Sequence, residues 1–260
     1  MRIRDLAVIA AALLAAHAAP AGAQATRDRA QLVFTVSGAY IQNKGLWSVP
    51  SQPVGSDLDN VALSRSIQRT LGAGFSGTYF PGETVGLSAD FVLLGLGFDD
   101  GCRLVGPSQS ATTAQICDDI DGRERSAAAV TVSLGGNFRF FPREVISPFA
   151  RVNAGLLFSN QSSVLTQGFS NDGALLTIYE DEKRTRVSPA FALGVGATTP
   201  ISRGYHLRWE VRDNIVGVEA VTGATSEPRR EPPHERRYKH LFSVLIGIDV
   251  ILERARGRRY

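Results

Sequence analysis

Thr70-Leu71-Gly72-Ala73-Gly74-Phe75-Ser76-Gly77-Thr78-Tyr79 is the stretch on which the fold turns. Leu71, Ala73, Phe75, Gly77 and Tyr79 share one parity, and Thr70, Gly72, Gly74, Ser76 and Thr78 share the other. A period of two puts alternate side chains on opposite faces of a sheet, so this is a strand with one apolar and one polar face. The pattern recurs to either side. It places Leu32, Phe34, Val36 and Tyr40 against Thr35 and Ser37, and Val85, Leu87, Phe91 and Leu93 against Thr84, Ser88 and Asp90. Further on, Val130, Val132, Leu134, Phe138 and Phe140 oppose Thr131, Ser133, Asn137 and Arg139, and Ala150, Val152, Leu156 and Phe158 oppose Arg151 and Asn153. The last three segments run Val187 to Ala197, Tyr205 to Arg212 and Phe242 to Leu252. Within them Tyr205, Leu207, Trp209 and Val211 alternate with His206, Arg208, Glu210 and Arg212, and Asp249 lies opposite Ile248 and Val250. Pro189 cannot donate to a ladder, and it falls near the start of its strand, where that loss is tolerated.

The connections choose among the possible sheets. Pro81 to Glu83, Pro142 to Ser147 and Thr199 to Gly204 are short, whereas Gln42 to Val61, Asp99 to Arg125, Ser159 to Arg184 and Gly217 to Lys239 are long and polar. Alternating short and long connections belong to an up-and-down barrel with periplasmic turns on one side and external loops on the other. A soluble lipocalin-like barrel would turn its apolar face inward around a ligand. Here Arg, Asp, Glu, Asn and Ser occupy the second face, which suits a polar lumen with lipid outside. Tyr79, Phe140 and Tyr205 fall beside the short turns on the apolar parity, and Tyr40, Phe158 and Phe242 beside the long loops. These are two interfacial girdles, a pairing that a β-sandwich has no need for. The expected fold is therefore all-β: an eight-stranded antiparallel up-and-down transmembrane β-barrel.

The ends of the chain agree with an exported protein. Residues 1–25 read as a signal peptide, with Arg2 and Arg4, an apolar run from Leu6 to Ala16, and small residues that fit cleavage at Ala21-Gly22-Ala23 or Ala23-Gln24-Ala25. The apolar run is shorter than the roughly 20 residues that span a bilayer. Residues 26–253 form the barrel and 254–260 a basic periplasmic tail carrying Arg254, Arg256, Arg258 and Arg259. The two cysteines, Cys102 and Cys117, are expected to form a disulfide within one external loop, because export exposes them to oxidising conditions. No metal ligand set, cofactor or nucleic-acid groove is legible.

Ser147-Pro148-Phe149-Ala150-Arg151-Val152-Asn153-Ala154-Gly155-Leu156, and Leu193 to Ala197 leading into Gly204 to Arg212, resemble the small outer-membrane β-barrel proteins that include the OmpA-type membrane domain. The resemblance spans the mature chain and implies a fold class rather than an activity. It departs at the C-terminus, where such barrels finish on an aromatic residue and this strand ends near Leu252. It also implies the partners: outer-membrane lipid and lipopolysaccharide, the barrel-assembly machinery during insertion, and no second subunit.

Inward parity collects Asp90, Arg139, Arg151, Arg208, Glu210, Arg212 and Asp249. An eight-stranded lumen is just wide enough to be filled by side chains, and buried charges survive there only when paired, so a salt-bridged plug is expected. A narrow ion or small-solute channel is the alternative. A lipid A modifying acyl hydrolase or transferase is a third reading, since His240 and Asp213 share the outward parity at the outer rim, although Ser243 and Ser188 point inward. Asp99, Asp100, Asp118, Asp119 and Asp121 flank the cysteine loop and read as solvated, with divalent-cation binding as the lesser possibility. The expected role is non-enzymatic: envelope integrity, or surface interaction through the long external loops.

Overall fold

The computed structural model describes residues 29–42, 44–54, 59–95, 97–107, 110–121, 124–125, 128–181, 186–225 and 231–255. The expected signal peptide and most of the basic tail lie outside the described residues. In chain order the elements are β1 (Arg29–Ile41), β2 (Lys44–Val54), β3 (Asp59–Ile67), β4 (Thr70–Tyr79), β5 (Val85–Gly95), β6 (Phe98–Leu104), α1 (Ala111–Asp121), β7 (Glu124–Arg125), β8 (Ala128–Arg139), β9 (Ser147–Ser159), β10 (Thr166–Phe169), β11 (Leu175–Tyr179), β12 (Val187–Ser202), β13 (Tyr205–Val221) and β14 (His234–Ala255).

The expected segments are the ones that close. The barrel order is β1-β14-β13-β12-β9-β8-β5-β4, with β4 returning to β1, so every wall strand has two antiparallel neighbours and no edge remains. At the closing seam Val36 pairs with Ile248 on one side and Phe75 on the other. β14 reaches Ala255, which pairs with Arg29, two residues beyond the expected end of the barrel. The outward parity is exposed along every wall strand, from Phe34, Val36 and Tyr40 to Val244, Ile246 and Ile248. In water such a band would be unfavourable; against lipid tails it is the surface that inserts. The aromatics assigned to the two girdles, Tyr79, Phe140 and Tyr205 below and Tyr40, Phe158 and Phe242 above, are all exposed.

The long loops depart from expectation, because they are folded rather than merely solvated. β2, β3, β6 and β7 form a four-stranded sheet, β10 and β11 form a hairpin, and β13 and β14 continue as a paired ribbon beyond the barrel wall as far as Val221 and His234. α1 packs by Thr113, Ile116, Cys117 and Ile120. These pieces share one apolar cluster that includes Leu46, Trp47, Val61, Leu63, Ile120 and Tyr179. The same cluster takes in Ile41, Leu94, Ala129, Leu157, Val216 and Leu241, the inward residues near the outer ends of the wall strands. The outer mouth of the barrel is thus filled by apolar side chains that continue into a folded external cap.

Candidate functional site: the lumen and its two seals

Alternation along six different strands delivers the polar side chains to one enclosed space. Glu210 on β13 is its centre. Its Oε1 accepts from Arg212 Nε at 2.7 Å, and its Oε2 accepts from Arg208 Nη2 at 2.9 Å and Arg151 Nη1 at 3.5 Å. Residues two apart on one strand share a face, which is why Arg208, Glu210 and Arg212 meet. Arg151, from β9, crosses to Asp90 on β5 at 2.7 Å, and Asp90 also accepts from Asn153 at 2.8 Å and lies 3.4 Å from Arg212 Nη1. Asp249, on β14, accepts from Thr35 of β1 at 2.7 Å and lies 3.8 Å from Arg208 Nη1.

The charges therefore span the barrel rather than lining it. Asp90, Arg151, Arg208, Glu210, Arg212 and Asp249 are all buried, and the free space among Thr35, Ser76, Asp90, Arg151 and Arg212 is about 10 Å³. That is room for no more than one water molecule. Backbone choice contributes to this fit: a Cβ on Gly194 would stand 2.4 Å from Glu210 Oε1 and 3.1 Å from Arg151 Cγ, so only glycine leaves the pair its place.

Arg139 is the one expected member placed differently. It sits nearer the periplasmic end, with its guanidinium 3.5 Å from the centre of the Phe80 ring. Phe80 follows β4 in a short turn and is buried, packed with Val33 and Ile251 across the bottom of the lumen. A Cβ on Gly86 would strike that ring at 2.7 Å. Phe80 falls between the last residue of the alternating segment, Tyr79, and the turn at Pro81, so pattern reading passes over it; the bare Gly86 on the inward parity is the available signal. Between this seal and the charge cluster, Thr78 Oγ1, Asn137 Oδ1 and Ser147 Oγ are buried without a protein partner, a set that ordered water would satisfy.

In the cap, Arg65 plays the part that Glu210 plays below. Its side chain is 0% exposed and that of its partner Asp100 is 2%. The two are joined through both carboxylate oxygens, with Nη2 to Oδ2 at 2.8 Å. The remaining donors reach Ser162 O at 3.2 Å and Leu165 O at 2.8 Å, and the guanidinium lies over Trp47 and Phe98. Trp47 Nε1 donates to Ser163 O at 2.7 Å. One arginine thus ties the four-stranded sheet to the segment between β9 and β10. Gln52 does the same for the ribbon: its Oε1 accepts from Tyr179 Oη at 3.0 Å and from Thr225 N at 2.9 Å. Burial pushes the Tyr179 phenol above its ordinary value.

Four of the five acidic residues around the cysteines hold internal partners, while Asp118 is exposed on α1 as expected. Asp100 holds Arg65, Asp99 accepts from Gln68, Asp119 from Phe169 N at 2.9 Å and Asp121 from Cys102 N at 3.3 Å. The solvated loop expected there is corrected to a structured one, and among the described residues no group of three or more His, Cys, Asp or Glu side chains is placed to hold a metal. Cys102 and Cys117 are joined, which fastens α1 to β6.

Asp213 and His240 meet at the outer rim, with Nδ1 and Oδ2 2.7 Å apart. Ser243 is buried on the inward side and donates to Arg212 O at 3.3 Å, so it does not complete a hydrolytic triad with them. His234, at the start of β14, has its Nδ1 2.9 Å from Pro232 O.

No protein-family model and no curated protein matches the chain. Solved structures do match in fold. OprG of Pseudomonas aeruginosa is 9% identical, with 87% of this chain and 97% of that one covered at a TM-score of 0.49. Neisserial surface protein A is 9% identical over 85% and 97% at 0.44, and outer membrane protein W of E. coli is 12% identical over 87% and 100% at 0.42. On its own geometry, a closed antiparallel wall with an apolar belt, two girdles, short turns and long loops, this chain is a small outer-membrane β-barrel.

Proposed function

We propose that the chain is a non-enzymatic, non-conducting outer-membrane barrel that serves surface interaction, and with it envelope integrity, through its external cap. The observation that carries this reading is the Glu210 cluster, which joins side chains from β5, β9 and β13 across the lumen and leaves about 10 Å³ free. A conducting path would need continuous water between the two ends. Here a charged lattice is enclosed between an apolar cap and the Phe80 seal. A cap with its own buried ion pair and apolar cluster is also more than a set of tethers, because ordering those residues costs entropy that a passive loop never incurs. Rigid presentation of an external surface is what that cost supports.

Purified protein in planar bilayers is expected to show no steady conductance, and cells displaying it are expected to lose surface attachment when Arg65→Ala unlatches the cap while the barrel stays inserted. Stable, well-resolved channels in the wild type would establish a pore instead.

A further inference from the structure

β12 and β13 separate at the outer end of the wall. Their last paired residues are Ala190 and Val216; above them β12 runs through Pro189 to Val187 against β9 alone, and β13 runs to Val221 against β14 alone. Pro189 accounts for the separation. It has no N–H to give β13, and its ring faces Gly217, where a Cβ would stand 3.4 Å from Pro189 Cδ.

The gap leads into a cavity of about 80 Å³ between the wall and the cap. Its floor is apolar: Leu157 and Val216 of the wall, with Ile67 and Phe98 of β3 and β6, are all buried. Asp181, Arg186, Glu219 and Arg236 stand at its mouth. Both carboxylates there already have donors, Asp181 from the Ser162 hydroxyl and Glu219 from Arg236 Nη2 at 3.2 Å. Arg186 Nη2 approaches Asp181 at 3.7 Å, beyond hydrogen-bond reach, and among the described residues the buried Arg186 Nε has no hydrogen-bond partner. The unmet requirement of the cavity is therefore for an acceptor.

Shape and position narrow that acceptor. Nε and Nη2 of one guanidinium form a fork that matches the two oxygens of a carboxylate. An apolar cavity of roughly 150 Å³ admits benzene, so the 80 Å³ here accommodates a chain of about three or four carbons. The mouth opens outside the bilayer, since Arg236 lies about 20 Å along β14 from the girdle residue Phe242 and the headgroup layer is only roughly 5 to 8 Å deep. The ligand is thus drawn from water and not from the acyl chains.

We infer that this cleft binds a small, water-soluble carboxylate with a short apolar chain, its carboxylate on Arg186 and its chain against Leu157, Val216, Ile67 and Phe98. The site depends neither on whether the lumen conducts nor on what the cap attaches to, since it opens sideways above the charge lattice.

The test is isothermal titration calorimetry of the full chain folded in non-ionic detergent, with sodium pentanoate, its neutral analogue pentanamide, and the carboxylates from acetate to hexanoate. Pentanoate is expected to bind saturably in the millimolar range and pentanamide about tenfold more weakly. Affinity is expected to climb about fourfold per methylene from acetate to pentanoate and to level off at hexanoate, when the cavity is full. Arg186→Gln is expected to bring pentanoate down to the level of pentanamide. Ser188→Leu, which fills the cavity from β12, is expected to weaken both, and Arg103→Gln, an exposed cation on the cap, to change neither. Circular dichroism checks that each variant keeps the barrel. No saturable binding of pentanoate, equal binding of pentanoate and pentanamide, affinity still climbing at hexanoate as partition into detergent would give, an unaffected Arg186→Gln or Ser188→Leu, or an equal loss in Arg103→Gln would each overturn the assignment.

Discussion

At the residue scale the lumen shows how a buried charge is made tolerable. Glu210 accepts from three guanidinium groups, and each of those is shared with a second carboxylate, Asp90 or Asp249. Deleting one partner of such a set leaves the others unpaired in a low-dielectric space, so Glu210→Ala is expected to destabilise the barrel by about 3 to 5 kcal/mol. Equilibrium unfolding in urea measures it, and a change under about 1 kcal/mol would mean that water already screens the cluster. Tyr179 makes a prediction of opposite chemistry. Its folded phenol is raised by burial, so the folded state holds the proton more tightly than the unfolded state does. The corresponding stability is present below the unfolded pKa of about 10 and is lost as pH rises from there toward the folded value. Hydrogen exchange of the cap should therefore accelerate above about pH 10, and Tyr179→Phe should flatten that alkaline limb. An identical alkaline limb in the variant would remove Tyr179 from the explanation.

At the element scale the wall and the cap were unequally legible. The wall strands announce themselves because lipid on one side and a polar lumen on the other keep both parities pure, and Leu71 to Tyr79 is the cleanest instance. β3 carries the same period, with Val61, Leu63 and Ile67 alternating with Ala62, Ser64 and Ser66, but Arg65 stands in the apolar row and hides it. An arginine belongs there only because Asp100, thirty-five residues on, meets it within the cap, and pairing over that distance leaves no local trace. The cap depends on this pair. Arg65→Ala strands Asp100 in the interior, so the four-stranded sheet is expected to lose its exchange protection while β1, β4 and β5 keep theirs. Loss of protection throughout the barrel would mean that cap and wall unfold as one unit. The disulfide acts more locally. Cys102→Ser/Cys117→Ser is expected to free α1 from β6 and to leave the barrel's melting temperature within a few degrees of wild type, because the bridge closes a short loop outside the wall.

For the whole molecule, three obstructions stand in series along one axis: the apolar cap at the outer mouth, the charge lattice at mid-depth and Phe80 at the periplasmic end. Only the middle one was visible in the sequence, since it follows from parity alone, while the two ends depend on loop and turn conformations that no period encodes. Series barriers have a specific consequence. Opening either end exposes the lattice to water without widening it, so Phe80→Ala, Arg65→Ala and the two combined are all expected to remain without steady conductance in a planar bilayer. Adding Glu210→Ala to that pair should produce a leak, because Arg151, Arg208 and Arg212 then share a space with too little negative charge and are driven apart by repulsion, admitting water between them. The leak should favour anions, since the cations left behind line its narrowest part. Conductance already present in the Phe80→Ala/Arg65→Ala protein would place the barrier at the ends and make the charge lattice a lining of a pore; a cation-selective leak in the triple variant would show that the arginines do not line the path.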